Sequence, residues 1–252
     1  MRRNPGGTAC RAALLLALAG SPAVAGVPYT TDDPGTPAQG DFEINVVSQY
    51  IAWHGEAAGT LSSLEVNYGI TDRFQSHIYI PVGFDRPAAA AASFGVGDAE
   101  LGFKYRFIDG DELGGWQVGV APSLEIPPAR LSRQFESSKI DASLPLLVAK
   151  QWGQWTAFGE AAYAINPGSH NRDWEFTGIA IAYDINSKIT VGGELLYTTA
   201  AVDGGKNGAG FNLTGTYNIN QTYHLLLAVG RNITNAAVLN QFTVLAGIQI
   251  TF

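Results

Sequence analysis

The last stretch of the chain, residues 241–252, reads QFTVLAGIQITF and alternates between two faces. One face is wholly apolar and consists of Phe242, Val244, Ala246, Ile248, Ile250 and Phe252. Successive side chains of a β-strand point to opposite sides, so this strand borders an apolar medium on one side and a more polar one on the other, as in transmembrane barrels. The closing aromatic predicts pairing with the first strand, because closure removes both sheet edges.

Similar alternation recurs in eleven earlier segments of residues 41–252. The alternation is clearest in segment 98–107, where the charged residue Glu100 is followed by apolar Leu101, a glycine and apolar Phe103. An even number of amphipathic strands with no second apolar core is typical of a membrane barrel. We therefore predict an all-β fold, a twelve-stranded antiparallel up-and-down transmembrane β-barrel.

The connections between the predicted strands alternate between short and long. Those after even-numbered strands are mostly tight, and those after strands three, five, seven, nine and eleven are longer. A bacterial barrel with both termini in the periplasm has short turns on that side and longer loops outside. The polar segment 54–60 is predicted to connect the first two strands. Aromatic residues at both strand ends predict two interfacial girdles, with Trp53 and Trp174 in the outer one.

The first 25 residues have the features of a secretory signal peptide. Arg2, Arg3 and Arg11 precede the apolar run 12–19, and the small-residue motif AVA at 23–25 supplies a cleavage site. We predict that residues 1–25 are removed. The following residues 26–40 are rich in Pro, Gly, Thr and Asp, which predicts an irregular periplasmic lead-in to the barrel.

The composition of the chain excludes several kinds of functional site. Cys10, the only cysteine, would leave with the signal peptide, which excludes a disulfide framework, a cysteine metal site and a cysteine nucleophile. The formal net charge is −7, and loss of the three arginines in residues 1–25 leaves −10, which argues against a nucleic-acid partner. No apolar run of about 18 residues follows the signal peptide, so the sequence predicts no transmembrane helix.

Four segments of the first half also match a known pattern: PYTTDDP at 28–34, FEIN at 42–45, NYGITDR at 67–73 and GVGDAELGFKYR at 95–106. With these segments the chain resembles the outer-membrane proteins of the MetA-pathway of phenol degradation family, which are described as transporters. The resemblance implies a single barrel associated with the passage of small molecules, aromatic ones among them. It implies no set of catalytic residues.

The alternation places a set of ionisable residues on the predicted lumen face: Glu43, Glu65, His77, Asp98, Glu100, Lys104, Arg106, Glu125, Asp141, Glu160, Glu194 and His224. One interpretation is a pore that disfavours anions, with Lys104 and Arg106 as a local positive constriction. The other is an internal salt-bridge network that fills a narrow barrel, since buried charges persist only when paired.

Apolar residues share that face: Tyr79, Leu147, Phe158, Leu196, Leu226 and Leu245. They could form an apolar path for an aromatic or aliphatic substrate. They could equally pack together and close the barrel, because barrels of intermediate strand number are either filled or open.

A hydrolytic site has one candidate location. Ser169 and His170 lie in one predicted loop with Asn171 and Asp173, which are the residue types of a hydrolase. Neighbours on a loop rarely converge as a nucleophile, base and acid must. We predict no catalytic residue, no metal site and no cofactor.

The sequence therefore predicts an outer-membrane channel for passive or facilitated passage of a small molecule, with aromatic or hydrophobic compounds as candidates. A structural or adhesive barrel with a plugged lumen and an outer-membrane hydrolase are the alternatives. The predicted location is the bacterial outer membrane, and nucleic acid is excluded as a partner. The predicted partners are membrane lipid, the solute, lipopolysaccharide through Arg130, Arg133 and Lys139, and the barrel assembly machinery through Phe252.

Overall fold

The computed structural model describes residues 26–110, 114–127 and 139–252. The predicted signal peptide, residues 1–25, and the loop residues Arg130 and Arg133 lie outside the described residues. The described part contains fourteen β-strands. No helix with the length and apolar character of a membrane span occurs in those three ranges.

The strands follow one another along the chain in a simple order. Their bounds are β1 Phe42–Trp53, β2 Glu56–Thr71, β3 Phe74–Arg86, β4 Ser93–Val96, β5 Ala99–Ile108, β6 Trp116–Val120, β7 Ser123–Ile126, β8 Asp141–Trp152, β9 Trp155–Ile165, β10 Trp174–Asn186, β11 Ile189–Thr198, β12 Gly208–Asn218, β13 Tyr223–Asn232 and β14 Phe242–Thr251. Each pairs antiparallel with its neighbours.

The fourteen strands make twelve positions in the barrel wall, as predicted, because two positions are interrupted. β4 and β5 both pair with β3, and β6 and β7 both lie between β5 and β8. Proline is present at both breaks: Pro81 faces the first and Pro122 lies in the second. Proline has no N–H for a ladder bond, but its carbonyl still accepts, here from Gly97 and Phe103 respectively.

Closure of the barrel by its first and last strands is confirmed. β1 pairs with β14 from Glu43 opposite Thr251 to Ala52 opposite Phe242. The backbones of Phe42 and Phe252 add two further hydrogen bonds of 2.7 and 3.1 Å. The wall therefore has no free edge, so its backbone N–H and C=O groups form hydrogen bonds with neighbouring strands. Hydrocarbon could not provide those hydrogen bonds.

The start of the second strand differs from the prediction. The segment 54–60, predicted as a connection, is mostly strand, because β2 begins at Glu56. His54 and Gly55 alone form the turn, with φ values of 40° and 79°. Two successive positive φ values are the geometry of the tightest hairpins, whose twist matches that of the flanking strands.

The outer surface of the barrel is apolar along every strand. Large exposed side chains include Leu64, Leu101, Phe103, Leu146, Ile179, Leu195, Leu213 and Leu227. Ring pairs lie at the ends, such as Phe42 with Tyr68 at 4.7 Å and Trp155 with Tyr183 at 4.5 Å between centroids. The predicted outer girdle needs a correction, because Trp53 and Trp174 are buried inside the wall. Both lie on the inward parity of their strands.

The barrel has a turn end and a loop end. The turn end contains the tight connection at Asp72, and the loop end contains His54 and the connections 166–173 and 199–207. Residues 26–40 form no strand, and they do not all lie outside the barrel. We call residues 27–34 the inner segment, because most of them are buried against the inner face of the wall.

Candidate functional site: the barrel interior

Glu194 on β11 binds the middle of the inner segment. Its carboxylate accepts hydrogen bonds from the backbone N–H groups of Thr30 at 2.8 Å and Thr31 at 2.8 Å, and from the Thr31 hydroxyl at 2.7 Å. The side-chain amide of Asn212 donates a further bond of 2.6 Å. Four donors around one buried carboxylate compensate for the loss of its water without a cation.

Asp32 is the second anchor of the inner segment. Its Oδ1 lies 2.7 Å from the Lys104 Nζ on β5, and its backbone N–H donates to Glu160 Oε2 on β9 at 2.8 Å. All three side chains are nearly inaccessible to water. Lys104 therefore does not form a free positive constriction with Arg106, because its charge is used to bind the inner segment.

Apolar contacts and two small wall residues complete the fit. Tyr29 packs edge-on against Phe158, with ring centroids 4.9 Å apart. Gly178 on β10 and Gly192 on β11 face the segment, and a Cβ at either position would overlap Thr31 or the Tyr29 hydroxyl, respectively. Glycine is needed there because the segment approaches the wall backbone closely.

We expect Gly178→Val to displace the inner segment. The nearest atoms to an added Cβ all belong to the Thr31 side chain, so overpacking at this site acts on the segment rather than on the wall. The measurement is maleimide labelling of Val27→Cys, a buried position in a mature chain predicted to have no other thiol. Labelling should accelerate in Gly178→Val and not in Gly215→Val, whose nearest neighbour is 3.9 Å away. Equal labelling rates in both variants would contradict the assignment.

Glu43 and Glu65, two further predicted lumen residues, belong to a ladder of amides and carboxylates across β1, β2 and β3. Asn45 donates to Glu43 at 3.1 Å and to Glu65 at 3.0 Å. Asn67 extends the ladder by accepting from Gln75 at 2.9 Å. Glu43 is half-buried, whereas the other four are almost fully buried. These contacts connect neighbouring strands of the wall through uncharged amide donors. This arrangement was not predicted from the sequence.

A second group connects β3, β5, β7 and β8. His77 Nε2 lies 2.7 Å from Glu100 Oε1, and both side chains are buried. Glu125 is paired in register with Glu100 on one side and with Asp141 on the other. Asp98 lies just before β5, and Glu125, Asp141 and Asp98 are half-buried. The predicted acid-rich set is therefore most concentrated on this part of the wall.

Two predicted lumen residues lie near the turn end. The Arg106 guanidinium donates to the Asp72 carbonyl at 2.7 Å and lies 3.6 Å from Asp109 Oδ2. His224 contacts the Asn218 side chain at 2.8 Å and the Thr251 hydroxyl at 3.2 Å. The structure thus brings these two residues into turn contacts and not into contact with the inner segment.

The predicted apolar lumen residues do not form one continuous path. Phe158 is covered by Tyr29, and Leu226 and Leu245 pack with Val27 of the inner segment. Leu147 is fully buried and Tyr79 is half-buried. Only Leu196 among the six borders the open cavity described next.

A cavity of about 210 Å³ lies inside the barrel toward the loop end. Its floor includes Thr30 of the inner segment, and its walls include Trp174, Phe176 and Leu196. Ala201 of the connection 199–207 packs against the two aromatic rings. This cavity was not predicted from the sequence. The signal for it was the inward parity of Trp174 and Phe176 on β10, which places two aromatic rings inside the barrel.

The candidate hydrolytic residues are placed in the connection 166–173. His170 is exposed, and its Nδ1 lies 3.7 Å from Asp203 Oδ2. Asp173 accepts hydrogen bonds from the Tyr163 hydroxyl and the Asn166 backbone N–H, which together lower the pKa of its carboxyl. Within the described residues no hydrogen bond joins Ser169 to His170.

Solved structures share this fold. The chain is similar to the COG4313 outer membrane channel from Pseudomonas putida F1, with a TM-score of 0.69 and 16% identity over 87% of this chain and 98% of that one. For the KdgM porin the TM-score is 0.59 at 13% identity, covering 83% and 99% of the two chains. For the NanC porin it is 0.58 at 10% identity, covering 82% and 98%.

No protein-family model and no curated protein matches the sequence, so membership of the MetA-pathway family stays a prediction. At these identities the structural likeness shows the fold and leaves the solute open. The apolar outer surface and the closed wall agree with the location that this fold has in bacteria. The chain has the fold of bacterial outer-membrane β-barrels.

Proposed function

We propose that the protein is an outer-membrane channel for the passive or facilitated passage of a small molecule, and that the inner segment closes its route in the conformation described here. The observation behind the proposal is the cavity at the loop end, whose floor includes Thr30 of the inner segment. A barrel interior with a cavity on one side and a separable segment below it can open without any change to the wall.

The contacts of the inner segment support reversible opening. Its anchors are hydrogen bonds and one ion pair to Glu160, Glu194 and Lys104, and water can replace each of them. A net hydrogen bond contributes only about 1 kcal/mol to stability. Release therefore costs far less than unfolding a strand, which would break its whole ladder in the membrane.

The wall that release would expose is rich in carboxylates. Glu160 and Glu194 would face water together with Glu65 and Glu100, and Lys104 would be the nearest buried cation. An acid-lined route favours cations and neutral solutes over anions. We include aromatic and hydrophobic molecules among the candidate solutes because ring side chains border the cavity.

Single-channel recording of the refolded mature protein in a planar bilayer tests the proposal. We expect brief, cation-preferring current steps separated by long closed periods, because the inner segment is bound most of the time. A solute that uses the route should reduce the current while it occupies the cavity. The same recording with strongly anion-selective current would contradict the acid-lined route.

A structural or adhesive barrel is the second candidate, and the burial of the inner segment is the observation that favours it. In that case the segment would be a permanent part of the interior. Folded protein would then be electrically silent both with the segment and after its deletion. The predicted lipid contacts, lipopolysaccharide contacts and recognition of Phe252 by the assembly machinery apply to either candidate and remain proposals.

A further inference from the structure

Glu194 binds the inner segment in the way that a carboxylate binds a guanidinium group. The Thr30 N–H donates to Glu194 Oε1 at 2.8 Å, and the adjacent Thr31 N–H donates to Oε2 at 2.8 Å. Two neighbouring N–H groups, one on each oxygen, are the arrangement of a bidentate guanidinium–carboxylate pair. The inner segment therefore occupies a site whose acceptors also fit a planar cation with two N–H groups.

The carboxylate of Glu194 is held by uncharged groups alone in the described part of the chain. These groups are the backbone and hydroxyl donors of the inner segment and the Asn212 side-chain amide. Glu160, the other carboxylate that binds the segment, differs because it interacts electrostatically with Lys104. Of the donors to Glu194 only the Asn212 amide would remain after release of the segment. A carboxylate shielded from water is stabilised by a cation, so Glu194 is the position that lacks one.

The wall beside Glu194 offers an apolar surface once the segment has left. Ala180 on β10 lies opposite Glu194 in the strand register. Ala180 packs with Phe158 and Ala149 in a buried cluster that Tyr29 of the inner segment covers. Release of the segment uncovers these side chains, and a hydrocarbon chain can take the place of the Tyr29 ring.

The site lies directly below the cavity at the loop end. Thr30 and Asn212 both line that cavity, and both donate hydrogen bonds to Glu194. A solute that enters from the loop end therefore reaches Glu194 when Thr30 moves away. Because the segment and the solute would use the same carboxylate oxygens, binding of one excludes the other.

We propose that the site of the inner segment is a binding site for an alkylguanidinium or alkylamidinium cation, and that the segment occupies it in place of this ligand. The cation would donate to both oxygens of Glu194, and its hydrocarbon chain would pack against Ala180 and Phe158. Binding would keep the segment away from Glu194 and so open the route. This inference rests on the proposed release of the inner segment and adds the class of solute and the cause of opening. The binding step does not require that the barrel conducts.

Maleimide labelling of Val27→Cys in folded protein in detergent micelles tests the inference, because a ligand that displaces the segment exposes this buried position. The probes are butylguanidinium, its uncharged analogue butylurea, and tetramethylammonium, a cation without N–H donors, all at equal ionic strength. We expect saturable acceleration of labelling by butylguanidinium. Butylurea should act at least about tenfold more weakly, and tetramethylammonium should have no effect.

Two variants that both loosen the segment separate binding from loosening. Gly178→Val keeps the carboxylate, so butylguanidinium should act at a lower concentration because the segment competes less. Glu194→Gln removes the charge, so the response to butylguanidinium should be lost although labelling without the probe is faster. Glu175→Gln removes an exposed carboxylate from β10 and should respond as the unaltered chain does.

The heat-dependent gel shift shows which variants are folded, and the three probes on Val27→Cys decide the matter if Glu194→Gln does not fold. Acceleration by tetramethylammonium, equal action of butylurea, or a full response in folded Glu194→Gln would each overturn the inference. Saturable labelling with butylguanidinium in a barrel that never passes current would keep this inference and refute the channel. A conducting barrel that ignores butylguanidinium would keep the channel and refute this inference.

Discussion

Deleting residues 27–34 is expected to raise the time-averaged conductance of the barrel by at least about 100-fold. Five polar contacts, three to Glu194 and one each to Glu160 and Lys104, at about 1 kcal/mol each hold the segment in place for more than about 99% of the time. Without the segment the barrel has no closed state of this kind. Single-channel recording should show long openings in place of brief ones.

Two variants separate this effect from general damage. Glu194→Gln should give an intermediate conductance, because the amide replaces one accepting oxygen by an NH2 donor that faces the N–H group of either Thr30 or Thr31, while its remaining oxygen still accepts. Glu175→Gln alters an exposed carboxylate on the neighbouring strand and should conduct like the unaltered protein. If the deletion variant keeps its heat-dependent gel shift, which shows a folded barrel, and still passes no current, the interior is closed by the wall itself and the structural candidate gains.

Lys104→Met is expected to release the inner segment at neutral pH. Removing one partner of a buried ion pair leaves the other charge uncompensated, which costs about 3–5 kcal/mol. That cost is comparable with the estimated hold on the segment, so Asp32 should leave the interior far more often when Lys104 is absent. Conductance should approach that of the deletion variant, and labelling of Val27→Cys in the Lys104→Met chain should accelerate as it does with Gly178→Val.

The decisive control for this variant is a second substitution. Asp32→Asn with Lys104→Met removes both charges, so the segment can return to the interior and the channel should close again. Lys188→Met removes a cation from an exposed turn and should have no effect on either measurement. A closed channel with Lys104→Met alone would mean that the ion pair contributes little to the position of the segment.

The strands of the barrel wall could be predicted from the sequence far better than the segment that fills the interior. A strand whose faces meet different media repeats every two residues, so β5 and β14 were recognisable from alternation alone. The start of β2 was not, because Ala57, Ala58 and Gly59 do not alternate and the turn at His54 and Gly55 depends on positive φ values. Likewise, the alternation continues through Pro122, so the break between β6 and β7 is not recognisable until the partner strands are known.

The inner segment could not be predicted because irregular backbone has no periodic signal. Its binding groups are largely the N–H groups of Thr30, Thr31 and Asp32, which every sequence possesses. The indirect signal was an excess of inward carboxylates, since Glu160 and Glu194 have no basic residue opposite them on β9 to β11. Buried acids without cations require other donors, and the nearest unassigned stretch of chain was residues 26–40.

The attachment of the inner segment at the turn end determines how it would reclose the route. Gln39 and Gly40 are bound to Asp72 and Gly69 at the β2–β3 turn, immediately before the chain enters β1. A released segment is therefore a short tether fixed at the rim, and a short flexible linker gives an effective concentration in the millimolar range. Reclosure is an intramolecular event, so the fraction of closed barrels is independent of how much protein the membrane contains.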